Sequence, residues 1–189
     1  MRSRSCAGRT PERRVHVARC GPPGLRGGHR VLTTERVTTP AQLEEAHTLR
    51  LEVFVGEQQV PLAEEIDDAD FAPTTTHVLV RAGEQPGEGP VVGTGRLLTD
   101  PAHPGEVHIG RVAVARSARG TGAGAAVMRA LEEIALAEHA VGGAVRIELS
   151  AQTQASGFYE RLGYEVHGPV YLDAGIDHRD AAKTLRSHD

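Results

Sequence analysis

Val107 to Gly124, VHIGRVAVARSARGTGAG, constrains the chain more than any other stretch. Val107, Ile109, Val112 and Val114 suit a strand in the interior of a sheet. Arg119-Gly120-Thr121-Gly122-Ala123-Gly124 follows, and Val127, Leu131 and Ile134 then mark one stripe of a helix. A helix N-terminus carries unpaired N–H groups and a partial positive charge. Glycines there let a phosphate reach those groups without meeting a Cβ. A tight turn needs one glycine, not three at alternate positions. The stretch is therefore expected to bind an anion, foremost a pyrophosphate.

Two nucleotide motifs compete for this turn. A P-loop is excluded because no Gly-Lys-Ser/Thr follows. Gly120-x-Gly122-x-x-Ala125 fits a dinucleotide fingerprint, with Glu148 as the ribose acid of an NAD(P)-dependent oxidoreductase. Against it, Ala115 to Arg119 separate the strand from the glycines, and the upstream chain does not read as a repeating parallel sheet.

Arg119-x-x-Gly122-x-Gly124 resembles the R/Q-x-x-G-x-G/A signature of the GNAT acyltransferases, which bind acetyl-CoA. Gln152-x-x-Ala155-x-x-Phe158-Tyr159-Glu160-Arg161-Leu162-Gly163-Tyr164 resembles a second segment of that family, with Gln152 where Asn is usual. Leu49-Arg50, Val53-Phe54-Val55-x-Glu57-Gln58, Glu65-Ile66-Asp67 and Gly175-Ile176-Asp177-His178 are similar to the ElaA-like branch. The resemblance runs from about Val31 to His178. It implies an α/β (α+β) fold, a mixed and mostly antiparallel sheet flanked by helices.

The 189 residues suit one compact domain. The net charge of -4 hides an asymmetry. Residues 1–29 are rich in Arg, Gly and Pro with Glu12 as their one acid, and are expected to be a disordered tail. The rest, a domain over 30–180 and a polar tail over 181–189, is acidic. That disfavours nucleic acid as a partner and is compatible with a cationic substrate. Cys6 and Cys20, the only cysteines, lie in the basic tail, so neither a disulfide scaffold nor a cysteine nucleophile is expected in the domain. No stretch approaches the roughly 20 apolar residues of a membrane span. Arg13-Arg14 lacks the apolar region of an export signal, so a cytoplasmic location is expected.

Along the chain, Arg30–Thr39 has strand character, and Pro40 after Thr39 opens a helix expected to reach about Phe54. Glu57–Asp70 reads as an irregular acidic loop, either a solvated face or a wall for an amine acceptor. Thr74–Ala82 and Val91–Thr99 read as hairpin strands, Gly93 and Gly95 hinting at a bulge or close approach. Val145–Ser150, a helix over Gln152–Leu162 capped by Gly163, and short strands at Tyr164–Val166 and Val170–Leu172 follow, with fraying after about Arg179.

The resemblance supplies candidate roles. Arg119, Gly120, Thr121, Gly122, Ala123 and Gly124 would cradle the pyrophosphate of acetyl-CoA. Val112, Ala113 and Val114 would lie along the pantetheine arm, and Gln152 and Phe158 would complete the cofactor site. Tyr159 would protonate the leaving thiolate, packing being its other reading. His108, six residues before Val114, would serve as base, its ordinary pKa of about 6.5 suiting proton removal near neutrality. A buried structural histidine is the competing reading. By alternation His108 would share a face with Gly110 and Val112. Glu57, Asp67, His77 and His178 are further candidates on the acceptor side. No spacing supports a metal. The expected activity is direct acetyl transfer to a small-molecule or peptide amine. A non-catalytic acyl-CoA sensor is a third reading, and a homodimer is compatible with the fold.

Overall fold

The structure, a computed structural model, describes residues 31–187. The expected tail over 1–29, with both cysteines, lies outside the described residues. Among the described residues seven strands form one sheet in the order β1-β2-β3-β4-β5-β7-β6. These are β1 (Leu32–Arg36), β2 (Thr75–Ala82), β3 (Val91–Thr99), β4 (Glu106–Val114), β5 (Ala144–Gln152), β6 (Glu165–Asp173) and β7 (Ile176–Arg186). Only β4 and β5 pair in parallel; every other neighbour is antiparallel.

Helix α1 (Pro40–Arg50) begins as its sequence dictates. Thr39 and Gln42 exchange the two hydrogen bonds of a capping box, with Pro40 in the first turn. The coil then widens into a π-helical segment, Leu51–Glu57, so it ends beyond the expected Phe54. Helix α3 (Ala123–His139) lies across the other face of the sheet and buries Val127, Met128 and Leu131 completely. Its close approach explains Gly95. A Cβ there would stand 2.7 Å from Val127 Cγ1 and 2.9 Å from Leu131 Cδ1. Val78, Val80, Leu97, Ile109, Val145 and Ile147 complete this core.

Three sequence expectations are corrected. The acidic loop is not irregular: it holds α2 (Leu62–Glu65) and a 3-10 turn, Asp68–Phe71. The last helix, α4 (Ser156–Arg161), is shorter than expected because a 3-10 turn over Thr153–Ala155 precedes it. The C-terminus does not fray after Arg179, nor is 181 the start of a tail. The two expected short strands merge into β6, which starts at Glu165 rather than Tyr164 and carries a register shift, and β7 pairs with β5 from Gln152↔His178 to Ala144↔Arg186.

Candidate active site

The site arises from a fault in the sheet. Thr94 pairs with Ala113 and Arg96 with Gly110, so β4 carries one extra residue there. Arg111 absorbs it with a φ of 52°, the backbone of a bulge. Side-chain parity inverts across the bulge. Val107 and Ile109 face α3 before it, and Val112 and Val114 face α3 after it: Val112 Cγ2 lies 3.5 Å from the Gly95 Cβ position and Val114 Cγ2 lies 3.5 Å from that of Gly124. His108 therefore faces the side opposite Val112, contrary to simple alternation. β4 and β5 pair only from Glu106↔Arg146 to His108↔Glu148. Beyond that they part, and a cleft of about 300 Å³ opens between them.

The glycine turn follows the C-terminal end of β4 and lies outside the cleft's own lining. Gly120 and Gly122 have φ of 78° and 95°, and no atom lies within 4 Å of where a Cβ would be at either. Gly122 is also the N-cap of α3. The open space at Gly120 and Gly122 thus adjoins a helix N-terminus, whose first N–H groups have no partner within the helix, which fits a diphosphate. Gly124 instead admits a neighbour, since Phe158 Cζ lies 3.3 Å from its Cβ position. The unpaired edge of β4 from Gly110 to Val114 lies between this turn and the cleft floor, available to an extended ligand backbone.

Tyr159 and His108 both line the cleft. Tyr159 is buried, packed edge-on to Phe158 at 5.0 Å and to Tyr164 at 6.0 Å. Desolvation pushes its phenol up to about 12, so it holds its proton through the physiological range. His108 is exposed on its cleft side. Desolvation by the surrounding protein lowers its pKa below the ordinary value, with Glu148 opposing and Arg96 adding to the fall. It is therefore a neutral imidazole at neutral pH, able to accept a proton.

Three acids of the loop, Glu65, Asp67 and Asp70, are taken up in ion pairs, while Glu64 and Asp68 stay exposed and Glu64 lines the cleft. Arg50, fully buried, donates to Glu65 Oε1 at 2.5 Å and to both Asp70 oxygens at 2.7 and 3.0 Å. Arg96 donates to Asp67 and Asp70, each at 2.7 Å. Arg111 reaches the Glu64 carbonyl at 2.8 Å and Asp67 at 3.3 Å. Burial alone would raise the Asp70 carboxyl, but Arg50 and Arg96 outweigh it and hold it far below the carboxylate range. Asp67 is spent on these pairs and does not line the cleft. The quoted Arg50 and Glu65-x-Asp67 motif residues thus build a wall whose charge is cancelled in place.

The remaining acceptor-side candidates divide. His77 is buried, and its Nε2 donates to the Asp70 carbonyl at 3.1 Å, away from the cleft. Glu57 also lies off the cleft lining, its carboxylate 2.8 Å from Arg119 Nη1. His178 does line the cleft, with Nδ1 donating to the Ile176 carbonyl at 2.8 Å. Gln152 is there too and exchanges amide hydrogen bonds with Gln58 at 2.8 and 3.3 Å. Sequence reasoning missed Arg96, Arg111 and Ser150 as lining residues. The arginines carried no motif, and the serine's partners come from strands far along the chain. Glu148 accepts from Arg146 at 2.8 Å and its strand is not the first of a parallel repeat, so the dinucleotide reading fails. Among the described residues no cluster of three or more His, Cys, Asp or Glu gathers as a metal site.

The chain belongs to the acetyltransferase (GNAT) domain family, which it matches over residues 41–185. It is 41% identical over 143 residues to the uncharacterized N-acetyltransferase YjcF of Bacillus subtilis, covering 75% of this chain and 92% of that one. Among solved structures it is similar to Escherichia coli ElaA, with a TM-score of 0.69, 25% identity and coverage of 81% and 99%. An acyl-CoA N-acyltransferase from Pseudomonas aeruginosa superposes with a TM-score of 0.67, 31% identity and coverage of 80% and 99%. The acyl donor is acetyl-CoA, and the ElaA-like resemblance holds at the level of both sequence and fold.

Proposed function

We propose that acetyl-CoA lies with its diphosphate on Gly120 to Gly124, its pantetheine along Val112 to Val114, and its thioester between His108 and Tyr159. The single observation that carries this reading is the parted β4–β5 edge, since both titratable side chains line the gap and the same strand leads on to the open glycine turn. An amine nitrogen attacks the acetyl carbonyl carbon, the C–S bond breaks, His108 takes the amine proton and Tyr159 protonates the departing sulfur. Residues 21–189 hold no cysteine, which supports direct transfer without an acyl-enzyme. A sensor without turnover would turn Tyr159 and His108 into the core, whereas both line the cleft.

The acceptor in this reading is an amine seated mainly by shape and hydrogen bonds, because Glu65, Asp67 and Asp70 are already paired and Glu64 is the loop acid left on the cleft. We place the reaction in the cytoplasm, on the ground of its acetyl-CoA requirement. A homodimer is consistent with the edge strand β6, which leaves Val170 and Leu172 exposed.

Thermal unfolding with acetyl-CoA, CoA, NAD and NADP in parallel tests the donor site. A ligand at about a hundred times its dissociation constant raises the midpoint of a domain this size by roughly 5–10 °C. The shift is expected with the CoA compounds alone. A shift with NAD or NADP alone overturns the reading.

A further inference from the structure

A three-member hydrogen-bond chain enters the cleft from the side that the mechanism leaves unused. Tyr171 Oη, on β6, lies 2.6 Å from Ser150 Oγ on β5 and 2.9 Å from Asp180 Oδ1 on β7. Ser150 and Asp180 face each other directly in the β5–β7 register. The Tyr171 ring is held in place by stacking on His178, centroids 6.1 Å apart and planes inclined by 22°. Of the three, only Ser150 lines the cleft, two residues past the last β4–β5 pair and so where the strands separate.

The direction of the chain follows from counting hydrogens. A carboxylate only accepts, and a phenol has one hydrogen. The Tyr171 hydrogen therefore goes to Asp180. The short contact to Ser150 can then be made only by the Ser150 hydroxyl donating to the Tyr171 oxygen. This uses the one hydrogen that Ser150 has. What Ser150 offers the cleft is lone pairs alone, polarised by a chain that ends on a negative charge. Such an oxygen accepts N–H and cannot stabilise a carboxylate or a developing oxyanion. Asp180 also acts on His108 electrostatically, so chain and imidazole belong to one wall of the cleft.

We propose that Ser150 receives an N–H of the acceptor amine, with Tyr171 and Asp180 as positioning residues that keep its hydrogen turned away. This rests on the acyltransferase reading and assigns the acceptor end of the same site. It makes the preferred substrate an amine whose nitrogen carries a hydrogen to spare beside the one lost in the reaction, a primary amine rather than a secondary one.

The test is calorimetric titration of n-butylamine, tyramine and N-methylbutylamine into the full chain, with and without saturating CoA, together with steady-state KM values for any amine that turns over. Ser150→Ala is expected to weaken primary-amine binding and raise the amine KM about tenfold, the size of one hydrogen bond to a polar group, with the acetyl-CoA KM within about twofold of wild type. Ser150→Thr keeps the hydroxyl and is expected to restore most of the loss. Tyr171→Phe keeps the ring stack, frees the Ser150 hydrogen and is expected to lose about threefold. Equal amine binding by Ser150→Ala and wild type overturns the proposal. So does a parallel rise in both KM values, or a wild type that binds no primary amine. Failure of the acyltransferase reading shows separately, as wild type that does not bind acetyl-CoA while the amine titrations still report on Ser150.

Discussion

Arg119 Nη1 stands 2.8 Å from the Glu57 carboxylate, tying the glycine turn to the end of the π-helical segment. The same guanidinium donates from Nε to the Val114 carbonyl at 3.2 Å. A carboxylate beside a diphosphate site repels the ligand while it holds the arginine. Both side chains are partly exposed, so the effect is modest. Glu57→Gln is expected to lower the acetyl-CoA KM about two- to fivefold at low salt and less at 0.5 M salt. A raised KM would mean that Glu57 serves chiefly to orient Arg119.

The pH profile separates the two proposed proton carriers. His108 must be neutral to accept a proton, and its pKa lies below the ordinary 6.5. Activity as kcat/KM is therefore expected to be full at pH 7 and to fall only as the pH drops below 6.5. His108→Gln should lower the plateau about 10²-fold and abolish that acid limb. Tyr159, held up to about 12, gives no alkaline limb below about pH 11. Tyr159→Phe should cost kcat by a similar factor and leave the acetyl-CoA KM nearly unchanged. A Tyr159→Phe enzyme with wild-type kcat removes the phenol from the mechanism.

The buried ion network sets a stability prediction with a definite sign. Asp70 has a depressed folded pKa, so its contribution is complete above its unfolded value near 3.8 and is lost as the pH falls through the folded one. Denaturant unfolding of wild type should weaken steeply below about pH 4. Asp70→Asn should be less stable at pH 7 by about 3 kcal/mol, because Arg50 and Arg96 lose a buried partner, and its stability should change less between pH 4 and 2. Equal slopes for the two proteins would sink this account.

Two glycines in the same layer should fail in opposite ways. At Gly95 a Cβ meets Val127 and Leu131, so Gly95→Ala is expected to cost about 1–3 kcal/mol of stability and spare cofactor affinity per folded molecule. At Gly122 there is space but a φ of 95°, and the space is where the diphosphate is proposed to sit. Gly122→Val should weaken acetyl-CoA binding more than tenfold, beyond its strain of about 1–3 kcal/mol. A thermal-shift titration on each variant distinguishes them.

Local features are the legible part of this sequence. The glycine turn, the Thr39 cap and the Phe158-Tyr159 segment are read from residues within a few positions of one another, and the structure places them accordingly. β7 is not legible, because IDHRDAAKTLR buries mainly two alanines and shows no apolar alternation. The acidic loop misleads because its partners, Arg50, Arg96 and Arg111, are up to 47 residues away. The Ser150 chain joins three strands, and no pattern in one segment signals it. The face of His108 is misjudged for a different reason: alternation assumes an unbroken ladder, and the Arg111 bulge breaks it.

That bulge makes β4 sensitive to length in a way that composition does not reveal. Substituting Arg111 removes a guanidinium. Deleting it removes the extra residue, so that Val107, Ile109, Val112 and Val114 alternate regularly onto α3 and only the bulge is lost. An added residue that no bulge takes up would instead turn Val112 and Val114 away from α3 or His108 towards it, so β4 can shed a residue at Arg111 but cannot gain one in its regular stretches without moving its reactive face.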